Sequence, residues 1–494
     1  MSFTLTAEQE EIISHVTTST DNLLINARAG SAKTTTLIQI AEALPADTIL
    51  SLAFNKKIKE EMKLRMPSNV TSMTLNGIGY NAWRRFLKKP VRFFGGKTYV
   101  ALKAEIEKLD KREADEAWRR FSETMKGVAK SKQVGYIPEA SAMVRPLVDE
   151  DEFYDHQLEY EATELQRALI NRIATKSWRE MMSGTLDFDD MLLGPALVGV
   201  AFDYYDTVLI DEAQDLSYIN HILLKKIIRK RTRVVAVGDR HQAIYGFRGA
   251  ETSSMPMLRK MFDMKLLTLT ISFRCSKAVT ENARWRAPDM RWPEWAKAGL
   301  VLHSGTWGSD DIPDGTAIIC RNNAPLFSLA ITLLREGRYP ELAGRDIIKT
   351  VVNKMKKLGK KSMSAEHTLI GIDAWLSAEK LYHRDHKMLE DQAACMRIFV
   401  LETANLGEAM VFAEALTQQT GRIYLMTGHK AKGLEFEKVL FLDPQLCSKE
   451  GQDPNIKYVI ETRAIDTLVY VKSEDYRMKE KEENNELKVW APSP

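Results

Sequence analysis

No apolar run in the 494-residue chain approaches the roughly 18 residues that a membrane-spanning helix needs. The opening residues, Met1 to Thr6, lack the basic-then-apolar pattern of a secretory signal. Both absences lead to the expectation of a cytoplasmic protein with no membrane partner. Cysteine is scarce. Cys275, Cys320, Cys395 and Cys447 stand far apart with no paired spacing, which argues against a zinc site or a disulfide framework and fits a reducing compartment. His383 and His386 lie about one helical turn apart, but with no cysteines nearby they read as a surface pair, not a metal site. Charge of one sign is also lacking: 70 basic against 67 acidic residues leave a net charge of +3, so composition alone does not mark a nucleic-acid binder. Repeats are absent, and the one biased stretch is the Lys- and Glu-dense tail at 472–488, read as a solvated terminal helix or a disordered end.

What is present is ordinary globular material. The chain is 44% hydrophobic and 28% charged, enough to build cores, and its length suits about three or four domains. Basic residues cluster at Arg84-Arg85 with Lys88-Lys89 and Arg92, at Lys225 to Arg233, and at Lys349 to Lys361, where they can follow phosphates or simply face water. Strand-length apolar runs recur beside turn and helix signals at Leu23–Ile25, Thr48–Leu52, Thr207–Ile210 and Arg233–Val237. A second set follows at Leu266–Ile271, Thr316–Cys320, Arg422–Met426 and Lys438–Leu442. Helical patterns between them predict an α/β fold with two parallel sheets. Residues 88–180 and 341–407 are charged and helical, and read as one insertion in each core. The expected division is therefore 1–87 with 181–265 for the first core and 88–180 for its insertion. The second core takes 266–340 with 408–471, its smaller insertion is 341–407, and 472–494 is a charged tail.

Two segments carry chemistry. Ala27-Arg-Ala29-Gly30-Ser31-Ala32-Lys33-Thr34-Thr35 follows the run Leu23–Ile25 and precedes a helical pattern. Such a loop presents successive backbone N–H groups to phosphates at a helix N-terminus. Lys33 is placed to neutralise the β and γ oxygens, and the Thr34 hydroxyl to ligate magnesium. The loop departs from the full glycine pattern at Ala27 and Ala32; if position 32 needs a left-handed backbone, alanine costs about 1 kcal/mol there. Far downstream, the apolar run ending at Ile210 meets Asp211-Glu212-Ala213-Gln214-Asp215. Two carboxylates at a strand end divide the labour of a magnesium-dependent ATPase: Asp211 for the metal, Glu212 as the base that takes a proton from the attacking water. ATP and Mg2+ are the expected cofactors.

Asp-Glu-Ala-Gln-Asp, followed by Val237-Gly238-Asp239-Arg240-His241-Gln242-Ala243-Ile244-Tyr245-Gly246-Phe247-Arg248-Gly249-Ala250, resembles the UvrD/Rep-like helicases of superfamily 1A. Further segments agree, in family order: Leu5 to Gln9, Phe54 with Lys57 and Glu61-Met62, Asp187 to Asp190, Ser272 to Ser276, Thr427 to Phe436, and Tyr458 to Ala464. The resemblance implies two RecA-like P-loop NTPase cores with parallel sheets. It implies adenine contacts from Gln9 and Phe273, ribose contact near Gly433 and Glu435, and γ-phosphate contacts from Arg274 and Arg463 of the second core. It gives Gln242 the task of coupling phosphate to nucleic acid, and gives base or backbone contacts to Phe54, Asn55, Thr74, Asn76, Tyr245, Phe247, Arg248 and His429. Aromatic faces with interleaved cations are what single strands require. The chain departs from the family at Asn76, where histidine is usual, at Ser272 and Phe273, where asparagine and tyrosine are commoner, at Phe247, which replaces tryptophan, and at Pro454-Asn455, where paired arginines are common.

These features lead to the expectation of an ATP-dependent single-stranded DNA translocase and DNA helicase, and the resemblance implies movement 3′ to 5′. Its partners would be single strands, single-to-double-strand junctions, and single-strand-binding or replication and recombination proteins. A translocase that strips proteins and unwinds little, and a non-catalytic ATP-gated clamp, are the alternatives.

Overall fold

Short Val-, Ile- and Leu-rich segments whose alternate side chains both meet apolar neighbours settle as parallel strands covered on two faces. The computed structural model of the protein describes residues 5–139, 144–158, 160–246, 253–343, 345–381, 386–416 and 418–478. It divides into two compact units. The first takes the described residues up to Arg274 together with Arg286–Pro293; the second takes Cys275–Trp285 and the described residues from Glu294 to Met478.

In the first unit the strands are β1 (Leu23–Ala27), β2 (Ile49–Ala53), β3 (Val70–Thr74), β4 (Arg92–Phe93), β5 (Thr185–Leu186), β6 (Thr207–Ile210), β7 (Arg233–Gly238) and β8 (Lys265–Leu269). The main sheet runs β3-β2-β6-β7-β1-β8, every pair parallel. Side-chain alternation sorts the core into two layers. Leu23, Ile25, Leu209, Val235 and Val237 pack on one side with Ile12, Leu37 and Ile40. Leu24, Val208, Ile210, Val234 and Ala236 pack on the other with Leu75, Ile78, Leu223 and Leu224.

One strand falls in a different sheet from the one its sequence position suggests. The run beginning at Leu266 was expected to open the second core; β8 instead pairs with β1, Leu23 opposite Lys265 and Ala27 opposite Leu269. The first unit consequently continues to Arg274, and Phe273 and Arg274 belong to it rather than to the second core. The cause is long-range pairing: β8 fills the open edge of β1, some 240 residues upstream.

The insertion of the first unit is helical as expected, with helices Lys97–Ile106, Lys111–Arg119, Phe121–Val134 and Glu164–Met182 around a small core of their own. Two devices fasten it. The ladder β4–β5 pairs Arg92 with Thr185. Beside it, two buried lysines of the insertion meet the Asp187–Asp190 turn. Lys132 Nζ lies 2.5 Å from Asp187 and 3.0 Å from Asp190, and Lys97 pairs with Asp190. Lys97 also donates to the Ser177 and Thr185 carbonyls at 3.0 and 3.1 Å. Removing one partner from such a buried set strands the others, at a cost of about 3–5 kcal/mol.

The second unit holds β9 (Leu300–His303), β10 (Ala317–Cys320), β11 (Pro340–Leu342), β12 (Ile423–Thr427), β13 (Phe436–Leu442) and β14 (Ala464–Val471). They form a parallel sheet in the order β11-β12-β10-β13-β14-β9. Its insertion, helices Arg345–Leu358, Ala365–Lys380 and Lys387–Leu401, shares one hydrophobic core with the sheet: Ile348, Val351, Met355 and Phe399 pack in the same cluster as Ile318 and Leu425. Cys275, Cys320 and Cys395 are buried free thiols, and no metal-holding group of side chains occurs among the described residues. Among those residues no helix is long and apolar enough to cross a membrane. His383 and residues 479–494 of the tail lie outside the described residues.

Helices Leu75–Leu87 and Asp190–Leu197 touch so closely at Gly79 that a Cβ there would sit 1.9 Å from the Met191 carbonyl oxygen. Gly79→Ala is expected to part these helices and lower stability by about 3 kcal/mol, read as the midpoint of urea unfolding. An unchanged midpoint would contradict the packing described.

Candidate nucleotide and nucleic-acid sites

β1 ends at Ala27, and the helix Lys33–Ala43 begins after a five-residue connection. The turn between them is made by two left-handed residues, Gly30 at φ +73 and Ala32 at φ 58. Ala32 stands at the N-cap with no side-chain hydrogen bond to the first helical turn, which leaves that turn's amide dipoles directed at whatever anion sits above it. Gly30 is obligatory for a second reason: a Cβ would fall 2.6 Å from both Arg274 Cβ and Ser272 Oγ, because residues 272–274 lie on the loop and the Phe273 N–H donates to the Gly30 carbonyl at 2.9 Å. Phe273 and Arg274 are thereby brought to the phosphate loop from within the same unit.

In the sheet, β7 lies between β1 and β6, so the acids after β6 open at the same edge as the loop after β1. Lys33 Nζ lies 3.5 Å from Glu212 Oε1, and the Thr34 hydroxyl donates to Asp211 Oδ2 at 3.0 Å. The Glu212 N–H donates to Asp211 Oδ1 at 2.8 Å, and Glu212 itself takes a left-handed backbone at φ 50. Burial and then the neighbouring Glu212 charge hold the Asp211 carboxyl above the usual carboxylate range. Two adjacent acids beside Lys33 offer negative charge that a divalent cation fits. The donors suit one: a carboxylate and a hydroxyl, both hard oxygens. Ser31 Oγ is buried with no hydrogen-bond partner, as expected of a hydroxyl awaiting a phosphate oxygen. Thr35 faces elsewhere, accepting from Arg65 at 3.3 Å.

Sequence reasoning passes over the residue that links this cluster to the next strand. Gln214, fully buried, donates to Glu212 Oε2 at 2.5 Å and accepts the Asp239 N–H at 2.9 Å. The Asp239 carboxylate in turn accepts from Gln242 Nε2 at 2.7 Å. A continuous chain of hydrogen bonds therefore runs from Glu212 to Gln242, three residues before Tyr245. The Tyr245 ring stacks on Phe54 with centroids 5.6 Å apart and planes 10° from parallel. Beneath the pair lies a cleft of about 260 Å³ at the carboxyl ends of β2, β3 and β6, to which Asn55 and Asn76 contribute. Phe247 and Arg248 lie outside the described residues.

Several expected contacts prove to have structural duties. Gln9 is completely buried: its side-chain oxygen accepts the Thr6 N–H at 3.1 Å in a capping box, and its Nε2 donates to Thr36 at 3.2 Å. The amide thus ties the first helix to the phosphate-loop helix. Thr-x-x-Gln is the signature of such a box and is readable in the sequence. Asn55 caps the helix Lys56–Arg65 through the Ile58 N–H at 2.9 Å, and Thr74 caps Leu75–Leu87 through the Gly77 N–H at 3.1 Å. Asn76 Nδ2 donates to the Phe188 carbonyl at 2.8 Å.

In the second unit Arg463 is almost wholly buried. It donates to the carbonyls of Val459 at 2.9 Å and Leu434 at 3.1 Å and to the Thr462 hydroxyl at 3.2 Å. Gly433 takes φ +83 beside exposed Glu435, and His429 is half-buried on the helix Gly428–Ala431. A second residue that sequence reasoning misses is Glu461, fully buried two positions before Arg463. Tyr470 Oη and Trp285 Nε1 donate to its two oxygens at 2.6 and 2.7 Å. Burial pushes its carboxyl from the ordinary 4.5 to about 7 against the pull of these donors.

Two measurements test this geometry. Because Ala32 is left-handed, Ala32→Gly relieves strain of about 1–2 kcal/mol and adds about 0.5–1 kcal/mol of chain entropy, so urea unfolding should show a net gain of about 0.5–1 kcal/mol. A net loss would mean that the loop does not hold this turn. For Glu461 the folded carboxyl binds its proton more tightly than the unfolded one. The native state therefore carries more bound protons, and the contribution of this group to stability falls as pH rises from about 4.5 to about 7. Glu461→Gln should gain on the parent across that window, by about 3 kcal/mol in all. Thermal or urea unfolding of the two proteins at several pH values checks this, and parallel profiles would refute it.

The chain is 26% identical over 368 residues to F-box DNA helicase protein 1 of Schizosaccharomyces pombe, covering 67% of this chain and 39% of that protein. It is 22% identical over 504 residues to F-box DNA helicase 1 of Gallus gallus, covering 92% and 46%. It is also 32% identical over 107 residues to ATP-dependent DNA helicase Rep of Escherichia coli, covering 20% and 16%. The chain spans less than half the length of these relatives. The sequence profile of the UvrD/REP helicase N-terminal domain matches residues 5–263, more than half of the chain, from the capping box at Gln9 through the phosphate loop and the paired acids to beyond Tyr245; this chain belongs to the UvrD/Rep helicase family.

Proposed function

We propose that the protein is an ATP-dependent single-stranded DNA translocase and DNA helicase moving 3′ to 5′. The observation that carries this reading is the hydrogen-bond chain Glu212–Gln214–Asp239–Gln242, which links a phosphate-hydrolysing constellation to the segment bearing Tyr245. ATP is bound by the amides of Ala29 to Thr35, with Lys33 against its β and γ oxygens. Thr34 and Asp211 would hold Mg2+, which when bound would neutralise charge on the phosphates. Glu212 accepts a proton from water as the water oxygen attacks the γ phosphorus; the bond to the β–γ bridging oxygen breaks, leaving ADP and inorganic phosphate. Arg274 and Arg463 stabilise the charge that develops on the transferring group. Hydrolysis changes the partners of Glu212, and the relay passes that change to Gln242 and the Phe54–Tyr245 pair, on which bases stack. Single strands and their junctions with duplex are the partners this reading names; single-strand-binding and replication or recombination proteins are the partners expected beside them.

The test is ATP hydrolysis by the full chain with and without single-stranded DNA, beside Glu212→Gln. Strong stimulation by DNA, with kcat lowered about 100-fold or more by the substitution, is the expected result. Comparison of 3′-tailed with 5′-tailed duplexes then reads the direction of unwinding. Negligible hydrolysis under both conditions would overturn the motor and leave a nucleotide-gated clamp.

A further inference from the structure

The cleft beneath Phe54 and Tyr245 contains a feature that stacking alone does not use. Asp189 lines it, on the turn that joins β5 to the helix Asp190–Leu197. Its two acidic neighbours are engaged: Asp187 with Lys132, and Asp190 with Lys132 and Lys97. The Asp189 carboxylate, in contrast, accepts no hydrogen bond among the described residues; its influences are the surrounding protein and the charges of Lys132, Asp187 and Asp190. It is half-buried, so water or a ligand entering the cleft reaches it. Of the cleft's other polar side chains, Asn76 Nδ2 is spent on the Phe188 carbonyl, and Asn55 Oδ1 and Asn220 Oδ1 on caps at Ile58 and Ser217; Lys132, Gln133, Asp211 and Asp215 also line it. Asp189 is thus a strong acceptor with unfilled lone pairs, at the side of a cavity of about 260 Å³ rimmed by two parallel aromatic rings.

Buried acceptors are normally satisfied, and a carboxylate is satisfied best by N–H donors. A planar ligand slipped against the rings presents its edge to the cavity. Cytosine and adenine carry an exocyclic amine there and guanine an amine beside a ring N–H, whereas thymine offers a single ring N–H between two carbonyl oxygens that a carboxylate repels. Carboxylates accept from the cytosine amine in this manner in groove readout.

Building on the proposed DNA track, we propose that Asp189 reads the edge of the base lodged in this cleft and makes the protein prefer bases carrying an exocyclic amine over thymine. Asp189 is a specificity-determining residue on a track that otherwise grips by stacking, and stacking is tolerant of sequence. The preference acts on a single base position, so it biases binding and stepping along a strand without defining a recognition sequence.

Oligo(dC) and oligo(dT) of equal length isolate the amine, since both are pyrimidines of similar stacking area. Burial pushes the Asp189 carboxyl up to about 6, so pH 8 keeps it ionised. Binding of the full chain to each oligomer at pH 8 and fixed salt, by fluorescence anisotropy, is expected to favour oligo(dC) by about tenfold, the worth of one charge-assisted hydrogen bond. Asp189→Asn, which offers a donor as well as an acceptor, should bring the two affinities within about twofold of each other while still binding both. Equal affinities in the parent protein would overturn the inference and leave the translocase reading standing, however the variant behaves. A preference that survives in Asp189→Asn would also overturn it. Failure of the parent to bind either oligomer would overturn both readings together.

Discussion

Everything in the first unit is organised by the need to keep two carboxylates side by side at the end of a buried strand. Asp211 and Glu212 repel each other, and water is largely excluded from Asp211. Such an arrangement is tolerable only if donors surround it. Three of the donors that do are the Thr34 hydroxyl, the Glu212 backbone N–H and the Lys33 ammonium. Two of the three lie on the helix that follows β1, so that helix must start where the β6 acids end. Parallel strands with β7 as the only spacer meet that requirement, and the left-handed turns at Gly30 and Ala32 aim the helix. In the proposed function this cluster takes a cation and a polyanion together. The same crowding of acids engages Gln214, whose amide donates to Glu212 on one side and accepts the Asp239 N–H on the other. A change in what Glu212 touches cannot be absorbed locally; it must disturb Gln214 and whatever Gln214 holds.

How much of this is legible in the chain depends on how local each signal is. The strands β1, β2, β6 and β7 show as apolar runs because both faces are covered, and Lys33, Thr34, Asp211 and Glu212 show because each follows such a run. β3, with the sequence Val-Thr-Ser-Met-Thr, has only partly covered side chains and gives no such signal. β8 is visible as a strand, but nothing in Lys265-Leu-Leu-Thr-Leu269 says which sheet it joins, since its partner lies at Leu23–Ala27. That single pairing moves a unit boundary and with it Phe273 and Arg274. Polar residues are the hardest to place. Gln9, Asn55 and Thr74 occupy positions where a ligand contact is expected, and all three spend side-chain atoms on helix caps, a competition intrinsic to short polar side chains at helix starts. Gln214 and Glu461 stand inside recognisable motifs, yet their roles are hidden because Asp239, Tyr470 and Trp285, which they meet, come from other segments.

The two insertions are anchored by different physics. In the second unit the inserted helices are part of the sheet's own hydrophobic core, a non-directional attachment that spreads load over many contacts. In the first unit the inserted helices have a separate core and are fastened by a two-residue ladder and buried ion pairs at Asp187 and Asp190. Ion pairs fix position sharply, because displacement leaves charges uncompensated in a dry site. The residue that this fastening holds in place is Asp189, between the two anchored acids. A carboxylate kept at a cavity wall by charge pairs on both sides has little freedom to turn away, and a preorganised acceptor is what discrimination between base edges requires.

Arg463 shows how a fixed side chain constrains a moving machine. Its guanidinium is shut inside the second unit by the carbonyls of Val459 and Leu434 and the Thr462 hydroxyl. Swinging it outward alone would leave buried carbonyls without donors, each at about 1–3 kcal/mol. In the proposed reaction this arginine therefore works from a fixed rotamer. Glu461, locked between Tyr470 and Trp285 on the same turn, stiffens the backbone that carries it. A guanidinium held in this way keeps its charge in one place, and a charge fixed in advance is what stabilising a transferring phosphoryl group in the proposed reaction would call for.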